Sequence, residues 1–341
     1  MPNIWTHFIF GQKVLQSLGE DAFLADDSHR RLFNMGCQGP DFLFYRHFLP
    51  WQRDKTMNKL GSEMHNRHCG HVMMDLLDAV CGRSASSSAP DRAVVYTLGF
   101  LLHHILDRNM HPYVFSRSGF RKWDHQRFEV IMDTLIARKL LGIETWRTEV
   151  WREINIKAEK LPETVVDAFE QVTAVYYDDL APAVRREDWD ASIRDMIHAQ
   201  RLFHDPTGIR RKLTFGQIEP LVYKRELPPL DILNEAELPW LDPVDGKQAK
   251  TDSVWTLWDA AMEDGIRTVT AVLKWLREEE QPDSSSSSEK FSQRATSLRE
   301  AAALEIGNLS YETGLPCDSG AAIRYEDPIW PDRVSSQISS R

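Results

Sequence analysis

The stretch Asp91-Arg-Ala-Val-Val-Tyr-Thr-Leu-Gly-Phe-Leu-Leu-His103-His104-Ile-Leu-Asp107-Arg-Asn-Met-His111-Pro112 decides how the chain is read. Asp91 can cap a helix in which Val94, Val95, Leu98, Leu101, Leu102 and Leu106 recur at helical spacing, and Pro112 is expected to close it. Inside that helix His103, Asp107 and His111 stand at i, i+4 and i+8, within about 80° of one face. Two imidazoles and a carboxylate therefore share a row. Fourteen residues after His111, His125 and Glu129 form another i,i+4 pair in a segment that also reads as helix.

Working outward, the same periodicity recurs almost everywhere. Phe8, Val14, Leu15 and Leu18 make a short stripe, and a helix is expected over about 58–80 from Leu60, Met64, Val72, Met73, Leu76 and Leu77. Others are expected from Trp123 to Leu140 and near 161–178, 187–204, 252–279 and 289–309. Alternating strand patterns are scarce, so the fold class is all-α. Composition breaks divide the chain into a helical region 1–205 that carries both rows, an irregular proline-rich connection 206–250, and a helical region 251–341 with a serine-rich linker at 281–288. Arg83 to Pro90 reads as a surface loop. The aromatic residues Trp51, Tyr113 and Trp123 flank candidate loops, and core packing is expected of them ahead of lining a cleft.

The 341 residues carry 41 Lys+Arg against 51 Asp+Glu, a formal charge of −10, which argues against a nucleic-acid coat or attraction to anionic membranes. No amphipathic basic helix that would lie on a bilayer is recognisable. No apolar run reaches the roughly 20 residues of a membrane span. Four scattered cysteines give neither a disulfide framework nor a CxxC pair. With no secretory signal at the N-terminus, the expected compartment is the cytoplasm. Ten of the 12 histidines lie at or before position 125. A lone His near an apolar face is more often a satisfied core histidine than a ligand, and Asp–His pairs at helical spacing form ordinary hydrogen bonds. Two such rows and a third His-bearing helix around His65 favour metal. Spacing alone leaves zinc, iron and manganese open. His68 and His71 are alternatives to His65, as His104 is to His103.

Together these residues resemble the zinc-dependent phospholipase C and P1 nuclease superfamily. Its motif order is a His near the N-terminus, an Asp, a His, His-x3-Asp, a His, and His-x3-Glu/Asp. This chain supplies His7, Asp41, His65, His103-x3-Asp107, His111 and His125-x3-Glu129. Met1-Pro-Asn-Ile-Trp-Thr-His7 and Gly36-Cys-Gln-Gly-Pro-Asp-Phe-Leu-Phe-Tyr45 are similar to the intracellular bacterial branch, over about residues 1–175. The resemblance implies an all-helical fold with three zinc ions. Asp41, His65, His103 and Asp107 would hold one, His111, His125 and Glu129 a second, and His7 with bridging Asp107 a third. Pro2, freed by removal of Met1, would complete the third site.

It further implies hydrolysis of a phosphate ester by a zinc-bound hydroxide, with Asp41 as general base and Phe42 offering a ring to the substrate headgroup. The aromatic residue expected three positions before His65 is replaced by Ser62. A glycerophospholipid or another small phosphodiester is the expected partner, with no stable nucleic-acid complex. The rival readings are a P1-like nuclease or nucleotide phosphatase on the same metal core, and a metal-stabilised interaction protein without catalysis.

Overall fold

The computed structural model describes residues 3–86, 89–121, 123–280 and 288–331. Pro2 and most of the serine-rich linker fall outside them. The fold is all-α, with helices α1 (Ile4–Ser17), α2 (Asp27–Gly36), α3 (Thr56–Asn66), α4 (Cys69–Ala79), α5 (Arg92–Ser118) and α6 (Asp124–Leu141) in its first part. Then come α7 (Trp151–Ile154), α8 (Glu163–Tyr176), α9 (Arg186–Phe203), α10 (Ile209–Leu213), α11 (Val254–Glu280) and α12 (Ser288–Ile306). Among the described residues the only sheet is a two-stranded antiparallel pair, Trp240–Leu241 with Ala249–Lys250. No described helix is long and apolar enough to cross a membrane.

Helix α5 is the axis. Asp91 caps it by accepting from the Ala93 amide at 2.7 Å, and from Ala93 to Arg108 every residue is buried. A helix apolar on all faces has to be enclosed, and α1, α2, α6 and α11 surround it. The α2–α5 crossing runs backbone against backbone. A Cβ on Gly36 would lie 2.2 Å from the Tyr96 carbonyl oxygen, and one on Gly99 would lie 2.5 Å from that of Phe33. This close approach brings the Cys37 carbonyl to the His103 ring, 3.0 Å from Nδ1.

Two boundaries differ from the sequence reading. Pro112 does not close α5, which continues to Ser118. The buried flanking residues His111, Tyr113 and Val114 hold the helix through it, and the Tyr113 hydroxyl donates to the Ile232 carbonyl at 2.8 Å. The expected helix over 58–80 is two helices, broken at Arg67 and His68, the latter at φ +57°. Partners distant in sequence take the carbonyls at the break. Tyr311 N donates to the His65 carbonyl at 2.9 Å, and the Tyr177 hydroxyl donates to that of Arg67 at 2.8 Å.

Candidate metal centre

Five elements deliver the histidines and carboxylates to one place. Helix α5 contributes His103, Asp107 and His111 in its row, α6 His125 and Glu129, α1 His7, α3 His65, and the 3₁₀ segment Gly39–Tyr45 contributes Asp41. Three groups result, each with ligand atoms within 4.8 Å of one another: His7, His103 and Asp107; Asp41, His65 and His103; His111, His125 and Glu129. His103 is common to the first two. His65 is the histidine brought in from its region, whereas the His68 and His71 rings lie against Tyr176. His104 points away from the groups, with Nε2 2.8 Å from the Leu309 carbonyl.

The hydrogen bonds fix the imidazole tautomers. Nδ1 of His65 meets the Gly61 carbonyl at 2.6 Å, that of His103 the Cys37 carbonyl, and that of His111 the Tyr311 carbonyl at 2.8 Å. A carbonyl can only accept, so Nδ1 carries the proton in each, and in the neutral ring Nε2 is left with its lone pair. Those lone pairs face carboxylates: His65 Nε2 is 3.1 Å from Asp41 Oδ1, and His103 Nε2 is 3.0 Å from Asp107 Oδ2. Across α6, His125 Nε2 is 2.7 Å from Glu129 Oε1. On its other oxygen, Asp107 meets His7 Nε2 at 3.4 Å and His111 Nε2 at 3.7 Å. Burial pushes the imidazoles of His7, His111 and His125 well below their ordinary pKa. Burial acts to raise Asp107, but His103, His111 and His7 hold it well below the usual carboxylate range.

A cation fits this arrangement. His7 Nε2, His103 Nε2, His111 Nε2 and both Asp107 oxygens are buried with no hydrogen-bond partner among the described residues. Lone pair against carboxylate at such distances is repulsive unless a positive charge lies between them, and orphaned buried polar atoms are costly. Imidazole nitrogen with carboxylate oxygen is a zinc donor set, and an N–H given to a backbone carbonyl is the usual support of a metal-binding His.

Asp41, His65, His111, His125 and Glu129 line a cavity of about 590 Å³ whose walls include Phe44, Phe115 and Trp123. Phe42 is not in that wall; it is fully buried, with its ring 6.0 Å from Phe169. The 3₁₀ segment explains the difference, because at three residues per turn it is Phe44 that shares a face with Asp41. Gly39 begins this segment at φ +49°, where a Cβ would lie 2.0 Å from His103 Cδ2. Of the three aromatics expected in the core, Tyr113 is buried, Trp123 borders the cavity and Trp51 is 72% exposed.

Sequence reasoning missed the segment 307–317 altogether. Tyr311 places its ring 5.0 Å from that of His65, 5.7 Å from His103 and 4.4 Å from His104, and its neighbour Glu312 lines the cavity. It also missed Asp133, one turn beyond Glu129, which accepts from Thr6 N at 2.6 Å, Trp5 N at 3.2 Å and the Tyr223 hydroxyl at 2.6 Å. That carboxylate pins the first turn of α1, which carries His7, onto α6.

No curated protein and no solved structure matches the chain. A family model described as zinc dependent phospholipase C matches residues 6–183, just over half of the chain, and spans all eight gathered residues. The chain belongs to the zinc-dependent phospholipase C family.

Proposed function

We propose that this chain is a phosphodiesterase that cleaves the glycerol–phosphate ester of a glycerophospholipid, in the manner of a phospholipase C, at a site that would hold three zinc ions. The observation that carries the reading is Asp107, a buried carboxylate with imidazole nitrogens facing both oxygens beneath an open cavity. A His Nε2 has one lone pair, so His103 serves one ion, while the two oxygens of Asp107 can serve two. In this assignment Asp41, His65, His103 and Asp107 hold one ion. His111, His125 and Glu129 would hold the second, and His7 with Asp107 the third. Bound zinc supplies Lewis acidity, lowering a water's pKa from about 15.7 to about 7 and offsetting charge on the phosphate oxygens.

The chain's own residues do the remainder. Asp41, at the cavity surface, takes the proton of the attacking water as that oxygen approaches phosphorus in line, and the bond to the glycerol oxygen opposite breaks, that oxygen leaving as the diacylglycerol hydroxyl once it takes a proton from solvent. Backbone carbonyls keep the imidazoles of His65, His103 and His111 oriented, so little is lost to reorganisation during the reaction. Phe44 and Phe115 form an apolar wall that limits water beside the ester.

The test is metal analysis by mass spectrometry, with assays of wild type and Asp41→Asn on a chromogenic phosphodiester. Three zinc per chain and a loss of about 10²–10⁴ in kcat for Asp41→Asn are expected. Release of diacylglycerol from vesicles without cleavage of single-stranded DNA supports the lipid substrate, and the reverse pattern assigns a P1-like nuclease. Both proteins inert with equal zinc content would leave the metals a purely structural role.

A further inference from the structure

The chain leaves the cavity wall at Phe203 and rejoins it at Leu221. Between them lie α10 and Phe215, with Ile209 57% exposed, Leu213 74% and Phe215 93%. Singly exposed apolar side chains are ordinary; a patch of them rimmed by charge marks an interaction surface. Here they interleave with Arg210, Arg211 and Lys212. The sequence gives no periodicity for this patch, because α10 has only five residues.

The turn is built rather than loose. The Arg210 guanidinium donates to the carbonyls of Leu202 at 3.1 Å and His204 at 2.8 Å. Buried Asp205 accepts from the amides of Arg210 at 3.1 Å and Arg211 at 3.0 Å, and pairs with the Arg211 side chain at 3.3 Å. Residues 201–218 thus carry Arg201, Arg210, Arg211 and Lys212 against Asp205 alone, in a chain whose total is −10. A second apolar side chain leaves the same rim. The Phe48 ring meets that of Phe203 edge-on at 6.3 Å, and three residues later Trp51 stands in solvent.

We propose that Ile209, Leu213, Phe215 and Trp51, with Lys212, form a rim that docks on an anionic bilayer. The apolar side chains enter the headgroup boundary while the Lys212 ammonium faces lipid phosphates. A symmetric pair through this face would set the same cations against one another, so the charge favours an anionic lipid surface over such a dimer. The proposal rests on the phospholipid reading of the site for its purpose, and not for its measurement.

The experiment is co-sedimentation of the full chain with vesicles of phosphatidylcholine, alone or mixed with phosphatidylglycerol. Wild type is compared with Lys212→Glu and with the triple variant Ile209→Ser, Leu213→Ser, Phe215→Ser, and each is also assayed on a soluble chromogenic phosphodiester. Wild type should bind the mixed vesicles. The triple variant should bind them at least about tenfold more weakly, and Lys212→Glu about fivefold more weakly, with hydrolysis of the soluble ester unchanged. Wild type that ignores both vesicles, or a triple variant that binds like wild type, overturns the proposal. So does a wild-type dimer that the triple variant converts to monomer without any vesicle binding. Vesicle binding without hydrolysis keeps the rim and removes the reaction; hydrolysis of the soluble ester without vesicle binding does the opposite.

Discussion

The Nδ1–H of His111 is held by the main-chain carbonyl of Tyr311, 200 positions further along the chain, at 2.8 Å. The same residue's amide donates to the carbonyl of His65, so one short segment orients two of the proposed ligands from outside the family-matched residues. Tyr311→Ala removes a fully buried ring and should cost about 3 kcal/mol or more in urea unfolding. Because the brace loosens, zinc affinity by chelator competition should fall about 10–100-fold. Tyr311→Phe should keep both values close to wild type.

Gly39 gives a second prediction. Its positive φ and the 2.0 Å approach of a built Cβ to the His103 ring leave no room for a side chain. Gly39→Ala should cost about 1–3 kcal/mol in backbone strain alone, and should also displace His103 and lower zinc stoichiometry. Wild-type zinc content with an unchanged Tm would refute this.

Asp133 sets a pH dependence. Burial pushes its carboxyl from 3.8 up to about 6, against the hydrogen bonds from Tyr223, Thr6 and Trp5. With the folded value above the unfolded one, the native state binds the extra proton between those values, so this group's contribution falls as pH rises through the window. The loss is about 3 kcal/mol between about pH 4 and pH 7. Urea midpoints measured in chelator should show that slope in wild type, superimposed on the opposite trend from the buried neutral histidines. The wild-type curve should decline relative to Asp133→Asn as pH rises through that window; parallel curves would exclude Asp133 as the source.

A fourth prediction concerns the buried pair that fastens α11 to the row of α5. The Arg108 guanidinium donates twice to Asp264, at 2.7 and 2.9 Å, and also to the carbonyls of Ile306 and Glu305. Burial acts to raise the Asp264 carboxyl, but Arg108, with Asn109 and Arg267, holds it below its ordinary value. Asp264→Leu alone strands a buried cation and should cost about 3–5 kcal/mol. Adding Arg108→Met should restore part of it, because no charge is then left unpaired. Strict additivity of the two losses would contradict this.

What was legible in the sequence is what depends on local period. The row His103, Asp107, His111 and the pair His125, Glu129 need only 3.6 residues per turn, and both appear where that period puts them. The break at Arg67 and His68 was not legible, because partners as distant as Tyr177 and Tyr311 capture the carbonyls that would have continued the helix. Phe42 was expected at the substrate from the resemblance alone, and it is Phe44, three residues after Asp41 in a 3₁₀ segment, that lines the cavity. The carbonyls of Cys37, Gly61 and Tyr311 belong to the backbone, so no residue type announces them.

The long span between His111 and Tyr311 also orders events during synthesis. When the ribosome has delivered His7 through Glu129, every residue of the three groups has been made, but the carbonyl that sets the His111 tautomer has not. The imidazole can then still present either nitrogen. The full set of these residues thus exists on the nascent chain before the group that orients His111 is made, and the geometry is settled only once the segment around Tyr311 folds back onto α3 and α5.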